Sequence, residues 1–153
     1  MKDIDIKHKT KTVKGVKWHW VEAGEGDPIV LIHGIPESWK CWQHQIPKLA
    51  TQFKVYAIDL KGYGQSDKSD GDYTMNNVAS EVIDLLNSLA IENFRLAGHD
   101  WGVAISDNII DQILNSPLFK IGQIAIIKKT IKKVKPKLLL ELILILCLLN
   151  MIY

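Results

Sequence analysis

The segment Gly98-His99-Asp100-Trp101-Gly102 carries the most specific chemical pattern in this chain. An apolar segment precedes it and a helical pattern follows, so it is predicted to turn sharply from a strand into a helix. Glycines two residues to either side of Asp100 permit the strained backbone path of such a turn. A carboxylate, with an ordinary pKa of about 3.9, is ionised at neutral pH. Asp100 could therefore attack an sp³ carbon directly and leave an ester on the protein.

Hydrolysis of that ester needs a general base, for which histidine held by a carboxylate is the usual solution. None of the five histidines of the chain follows Asp100. His99 adjoins Asp100, but we interpret it as a residue that points into the structure rather than as the base. We interpret the isolated His8, His19 and His44 as ordinary surface or half-buried residues.

The elements that must position Asp100 alternate between strands and helices, which predicts an α/β fold with a mostly parallel sheet covered on both faces. Short, wholly apolar segments are typical of strands buried on both faces. An alternating segment at the start of the chain predicts an antiparallel strand instead. The predicted strands are residues 16–22, 29–32, 55–58 and 94–97, with a possible further strand at 124–127.

Three helices are predicted between and after these strands. The clearest runs from Thr74, a plausible N-cap, to Leu89. Its apolar residues recur at spacings of three and four, which gives one apolar stripe. Residues 42–49 can form a short helix with Pro47 near one end, and residues 102–114 predict a helix behind Asp100.

Three motifs, in this order, resemble the N-terminal half of an α/β-hydrolase of the epoxide hydrolase and dehalogenase branch. They are His33-Gly34-Ile35-Pro36-Glu37-Ser38-Trp39, the glycine-rich loop 59–67, and the turn 98–102. The resemblance covers residues from about 15 to 105. It implies the N-terminal half of an α/β-hydrolase sheet, incomplete, followed by an apolar C-terminal tail.

The resemblance also implies roles for individual residues. Asp100 would be the nucleophile, and the backbone N–H groups of Ile35 and Trp101 would form the oxyanion hole. The Trp101 side chain could contact a halide or substrate, or simply pack beside the sheet. Loop 59–67 would be a structural turn without a catalytic role. The residues expected to shape the loops are His33, Gly34, Pro36, Gly98 and Gly102.

The substrate implied by the resemblance is a small-molecule epoxide or organohalide, with no cofactor and no metal. In haloalkane dehalogenases the residue after His-Gly is typically a side-chain donor, whereas Ile35 offers only its backbone. This favours an epoxide hydrolase-like activity, with a haloacetate or haloalkane dehalogenase-like fragment as the alternative. The family's two acidic tyrosines come from a cap domain, and no tyrosine stands in such a place here.

The composition changes after about residue 105. We expect residues 1–105 to be the N-terminal part of the hydrolase core. We expect residues 106–153, rich in Lys, Ile and Leu, to be a divergent tail from a frameshift or early stop. Because the family's cap, late acid and catalytic histidine do not appear in these 153 residues, we expect a truncated form without steady turnover.

A non-enzymatic, membrane-associated protein with a decayed hydrolase half is the competing hypothesis. Six lysines in residues 128–137 precede the apolar residues 138–153, as in a membrane-proximal anchor. A span needs about 20 apolar residues, so we expect no membrane attachment. We expect no signal peptide at the N-terminus, and Cys41 and Cys147 show no metal or disulfide spacing. We expect a cytoplasmic protein that binds no nucleic acid, and the oligomeric state stays open.

Overall fold

The computed structural model describes residues 4–116 and 126–127. The expectations for the lysine cluster at 128–137 and the apolar segment 138–153 therefore lie outside the described residues, as do residues 124 and 125 of the possible last strand. Within the described part, no helix has the length and apolar character that crossing a membrane requires.

A mixed sheet of strands with helices on both faces organises the described residues, and this confirms the predicted α/β fold. The spatial order of the strands is β1-β2-β4-β3-β5-β6. The first two pairings, of β1 with β2 and of β2 with β4, are antiparallel, and the others are parallel. The strands are β1 (Lys7–Val13), β2 (Val16–Ala23), β3 (Pro28–Ile32), β4 (Lys54–Asp59), β5 (Arg95–Gly98) and β6 (Ile126–Ile127).

Strand β3 lies between β4 and β5, and its apolar sequence reflects burial on both faces. Ile29 and Leu31 pack into the core on one face of the sheet, whereas Val30 and Ile32 pack into the core on the other. All four side chains are fully buried. A strand covered on both sides has no reason to alternate polar and apolar residues, so the apolar segment predicted it correctly.

Two helices, α2 (Met75–Ser88) and α3 (Trp101–Leu114), cover one face of the sheet and pack against each other. The Thr74 side chain caps α2 by accepting a hydrogen bond from the Asn77 N–H at 3.4 Å, which confirms the predicted cap. The predicted apolar stripe faces the core. The buried residues of α2 are Val78, Ala79, Val82, Leu85 and Leu86.

On the other face of the sheet, the helix is shorter than predicted. The helix expected over residues 42–49 is wrong in length, because only α1 (Ile46–Leu49) is α-helical and Trp39–Trp42 form a separate 3₁₀ turn. Pro47 explains the division. Proline has no N–H and its ring clashes with a preceding helical turn, so it is tolerated only where a helix begins.

Strand β1 is absent from the sequence predictions. All but the last of its residues are exposed, so its composition carries no signal of burial. It is a strand because it pairs with β2 along its whole length, from Lys7 opposite Glu22 to Val13 opposite Val16. At the opposite side of the sheet, β6 pairs with β5 and matches the possible strand there.

Candidate active site

Asp100 occupies the turn between β5 and α3 in a strained backbone conformation, with φ 52° and ψ −120°. Positive φ is sterically costly for a residue with a Cβ atom and is concentrated at functional sites. The turn is held on both sides, because the His99 N–H donates to Ile32 O at 3.0 Å and the Gly102 N–H donates to His99 O at 2.9 Å. The exposed carboxylate of Asp100 therefore stands at the carboxyl end of the parallel strands.

The glycines that flank Asp100 let α3 approach the sheet closely. A Cβ atom on Gly102 would collide with Ile32 O and would lie 2.6 Å from His33 O. A Cβ atom on Gly98 would collide with Gly102 O and would lie 2.8 Å from the Ser106 Oγ. The collisions are with the backbone carbonyls of Ile32 and Gly102, which cannot move aside, so glycine is required at each position.

The loop after β3 faces Asp100 directly. The Ile35 N–H points to Asp100 Oδ2 at 3.5 Å, the long end of hydrogen bonding. Gly34 makes this approach possible, since a Cβ atom there would lie 2.7 Å from Asp100 Cβ. The Ile35–Pro36 peptide bond is cis. Trp101 is the first residue of α3, where a backbone N–H has no partner within the helix.

Glu37 connects this loop to the turn that carries Asp100. Its Oε2 accepts the Gly34 N–H at 3.0 Å and lies 3.2 Å from His99 Nδ1. The His99 ring is half-buried and also meets the Trp42 ring edge-on, with centroids 6.4 Å apart. These two contacts agree with the expectation that His99 points inward. The contact with Glu37 was not predicted.

Cys41 lies close enough to Glu37 for the charge of that carboxylate to act on its thiol. Burial, reinforced by the negative charge of Glu37, raises the pKa of the Cys41 thiol far above its ordinary value. A thiol that stays protonated is a donor and a poor nucleophile. Cys41 therefore contributes an S–H group to the surroundings of Glu37 and no thiolate.

His33 is fully buried and hydrogen-bonds on both ring nitrogens. Nε2 lies 2.9 Å from the Leu60 backbone N, which can only donate, and Nδ1 lies 2.7 Å from Gly34 O, which can only accept. The ring is therefore neutral with its proton on Nδ1. Burial lowers the pKa of His33 below its ordinary value, although the bond to Gly34 O opposes this.

Asp59, at the end of β4, fixes the beginning of the 3₁₀ turn. Its side chain is fully buried, and Oδ1 accepts the Trp39 N–H at 2.7 Å. Oδ2 accepts the Gln65 N–H at 2.9 Å and lies 2.7 Å from His19 Nδ1. The Ser66 hydroxyl donates to the Asp59 carbonyl at 2.7 Å. Loop 59–67 thus braces the loop after β3 from within the protein.

The interpretation of His19 as an ordinary surface or half-buried residue is wrong. His19 is only 1% exposed and is paired with Asp59, and its Nε2 lies 2.9 Å from Nδ1 of the exposed His8. Its backbone N–H also donates to the Ser66 Oγ at 2.8 Å. The local sequence does not reveal the burial of His19, because His19 and Asp59 are 40 residues apart and meet only through the pairing of β2 with β4.

No three His, Cys, Asp or Glu side chains within the described ranges are arranged to hold a metal ion. The chemistry available at the turn is that of an exposed carboxylate that faces the Ile35 N–H. Sequence reasoning did not give Glu37 a role. The signal was present, since Glu37 lies inside the motif 33–39, but its partner His99 is 62 residues away.

The order of the strands, the strained turn between β5 and α3, and the position of Asp100 define the class of protein. Residues 27–107, more than half of the chain, match the family described as the alpha/beta hydrolase fold, and the chain belongs to that family. Within it, the chain is similar to epoxide hydrolases, as the sequence motifs indicated.

The similarity extends over part of each relative. The chain is 39% identical to a soluble epoxide hydrolase of a Corynebacterium species over 102 residues, which are 67% of this chain and 36% of that protein. It is 46% identical to the bifunctional epoxide hydrolase 2 of Rattus norvegicus over 63% of this chain and 18% of that protein. The solved structure of the epoxide hydrolase CorEH superposes with a TM-score of 0.69 at 37% identity, covering 71% of this chain and 38% of that one. The chain thus spans about a third of the Corynebacterium relative.

Proposed function

We propose that Asp100 attacks a carbon of a small epoxide and forms an alkyl ester, the first half of epoxide hydrolysis. The observation that carries this proposal is the strained turn, which presents an exposed carboxylate 3.5 Å from the Ile35 N–H. The relatives are named epoxide hydrolases, which supports an epoxide as the substrate class. The aliphatic side chain of Ile35 supports it too, since it offers no donor to a departing halide.

In this step Oδ1 of Asp100 supplies an electron pair to the new carbon–oxygen bond. The carbon–oxygen bond of the strained ring breaks, and the released oxygen takes a proton from water. We propose that the Ile35 and Trp101 N–H groups hold Oδ2, so that Oδ1 is the attacking atom. The same donors would stabilise the oxyanion when water attacks the ester carbonyl.

We further propose that the ester accumulates on these 153 residues. Hydrolysis requires a histidine that is free to take a proton from water. The buried His33 and His19 have both ring nitrogens engaged. We propose that His99, which contacts Glu37 and Trp42, stays in these contacts and does not act as the base. A slow second step would leave the covalent intermediate as the main product.

Mass spectrometry of the intact protein after incubation with styrene oxide tests this proposal. We expect one adduct of the mass of the epoxide on the peptide that contains Asp100. Hydroxylamine should remove it, because hydroxylamine cleaves esters but leaves adducts on cysteine, lysine or histidine. Chloroacetate in a parallel incubation examines the organohalide alternative, and a faster adduct with chloroacetate would assign the substrate class to organohalides.

Two variants make the test specific. Asp100→Asn should abolish the hydroxylamine-sensitive adduct. Asp111→Asn removes an exposed carboxylate from the same helix and should leave the adduct unchanged. An adduct that persists in Asp100→Asn would contradict the proposal. Steady production of diol over many turnovers, dependent on Asp100, would also contradict it.

A further inference from the structure

Glu37 joins the two loops that meet at Asp100. It lies in the loop after β3, and its Oε2 accepts the Gly34 N–H at 3.0 Å from the same loop. The same oxygen lies 3.2 Å from Nδ1 of His99, which precedes Asp100. The Glu37 N–H returns to Gly34 O at 3.1 Å. One half-buried carboxylate thus links both sides of the site.

The partners of Glu37 are the residues immediately before the two groups that must align. Gly34 precedes Ile35, whose N–H faces Asp100 Oδ2, and His99 precedes Asp100 itself. Glycine has wide conformational freedom, so the direction of the Ile35 N–H is not fixed by Gly34 alone. Glu37 restricts that freedom through two hydrogen bonds. Its carboxylate accepts the Gly34 N–H, and its backbone N–H donates to Gly34 O.

The charge of Glu37 also fixes the donor in the bond to His99. An ionised carboxylate only accepts, so Nδ1 of His99 must carry the proton. Charge-assisted hydrogen bonds of this kind are roughly twice as strong as neutral ones. The Glu37 carboxylate therefore receives two donors, the Gly34 N–H and His99 Nδ1.

We propose that Glu37 is a positioning residue, which acts through Gly34 and His99 to hold the Ile35 N–H against the Asp100 carboxylate. The proposal deepens the proposed function and rests on it for its catalytic consequence. Without the Glu37 carboxylate the Gly34 N–H loses its acceptor and His99 loses its partner. Gly34 O keeps its bonds to the backbone N–H of residue 37 and to His33, but the Ile35 N–H is then able to turn away. The Asp100 carboxylate then loses the donor that orients it, and its rate of alkylation falls.

Nuclear magnetic resonance of the full chain tests the geometry without any reaction. The amide signal of Ile35 should shift as Asp100 is protonated on acidification, and Asp100→Asn should abolish that shift. In Glu37→Ala the shift should disappear while the dispersed spectrum of the folded protein is retained. Glu92→Ala, at an exposed position before β5, is the matched control and should keep the shift.

The rate of adduct formation with styrene oxide gives the second readout. We expect Glu37→Ala to slow the modification of Asp100 about tenfold, Glu37→Gln to slow it less, and Glu92→Ala to leave it unchanged. A glutamine oxygen still accepts the Gly34 N–H, so partial rescue separates positioning from a loss of folding. If Glu37→Ala does not fold, His99→Ala breaks the other half of the link and should show the same loss of the Ile35 shift.

The outcomes separate the two proposals. If the wild-type chain forms no adduct, the proposed function fails, while the Ile35 shift still decides the role of Glu37. If the Ile35 amide follows Asp100 equally well in the wild type, Glu37→Gln and folded Glu37→Ala or His99→Ala, Glu37 positions nothing and the inference is overturned. The inference is supported if Glu37→Ala and His99→Ala each lose the Ile35 shift and the double variant loses no more than either single variant.

Discussion

The buried imidazole of His33 accepts the backbone N–H of Leu60 at 2.9 Å and thereby joins the loop after β3 to the end of β4. The bond needs an unprotonated Nε2. Because Leu60 N can only donate, protonation of His33 replaces a hydrogen bond by two opposed donors in a site without solvent. The integrity of the loop that carries Ile35 is therefore tied to the protonation state of His33.

We predict that the free energy of unfolding falls as the pH is lowered below about 6.5, in part through His33. Burial lowers the pKa of His33 in the folded protein, so the unfolded chain takes up a proton between that pKa and 6.5 while the folded chain does not. Stability from this group is present above 6.5 and is lost as the pH falls, by up to about 1.4 kcal/mol per pH unit.

Urea unfolding from pH 7.5 to 5 measures the effect for the wild type, His33→Gln and His44→Gln. The His33→Gln variant should show a flatter dependence on pH in this range, whereas substitution of the exposed His44 should not change the slope. Parallel curves for the wild type and His33→Gln would show that His33 does not carry the pH dependence.

Substitutions at Asp100 should reveal the strain in the turn. At φ 52° and ψ −120°, a residue with a Cβ atom costs of the order of 1–3 kcal/mol, which glycine avoids. We expect Asp100→Gly to unfold at higher urea concentration than Asp100→Ala, with a difference of about 1 kcal/mol after the greater chain entropy of glycine is counted.

The exposed Asp111, at a regular helical position, provides the matched pair. There the alanine variant should be the more stable by about 1 kcal/mol, because glycine is unfavourable in a helix. The difference in unfolding free energy between the glycine and alanine variants should therefore have opposite signs at positions 100 and 111. If alanine is favoured at both positions, the turn at Asp100 is not strained in solution.

Gly102→Ala should destabilise the protein although it replaces glycine within a helix. At an exposed helical position this change stabilises by about 1 kcal/mol. At position 102 the added Cβ atom meets the carbonyl oxygens of Ile32 and His33, so α3 must move away from β3. Overpacking of this kind costs about 1–3 kcal/mol.

Chemical denaturation of Gly102→Ala, compared with Asp111→Ala on the same helix, measures this cost. The Asp111 variant should be neutral or slightly stabilising. Epoxide modification of Asp100 should also slow in Gly102→Ala, because the turn is anchored through the Gly102 N–H. A Gly102→Ala variant as stable as the wild type would mean that α3 is not held so close to the sheet.

Lys61→Arg should stabilise the protein by about 1 kcal/mol. Lys61 is only 6% exposed, and its Nζ contacts Glu81 Oε1 at 2.9 Å beneath the Tyr73 ring. Glu81 Oε2 is buried and has no hydrogen-bond partner within the described part of the chain. A guanidinium presents two parallel N–H groups to a carboxylate and can satisfy both oxygens.

Thermal unfolding of Lys61→Arg and of Lys48→Arg, which changes an exposed lysine on α1, provides the comparison. Only the first should raise the melting temperature. In Glu81→Gln the benefit of arginine should vanish, because the bidentate partner is gone. Equal melting temperatures for all lysine variants would indicate that Oε2 is satisfied by water.

The parts of the fold that could be predicted are those whose cause is local. The apolar segments of β3, β4 and β5 identify strands because burial on both faces excludes polar residues over a few consecutive positions. The stripe and cap of α2 identify a helix because its period and its first turn lie within the segment. Glycines two residues from Asp100 identify the turn for the same reason.

The parts that escaped prediction depend on partners far away in the chain. The exposed β1 becomes a strand only by pairing with β2, and no burial pattern marks it. The sequence around His19 gives no sign of its burial, because its partner Asp59 is 40 positions away. Composition and periodicity report the environment of a residue averaged over its neighbours, and they do not specify which distant side chain completes a hydrogen bond.

The sequence by itself therefore determined the class of the fold, the turn at Asp100 and the loop that faces it. The tertiary structure decided how these parts are held in place, through Glu37 to His99 and through Asp59 to Trp39 and His19. The physical reason is that the turn follows from steric rules within five residues, whereas its alignment with the Ile35 N–H depends on buried polar groups that satisfy one another only after the sheet has formed.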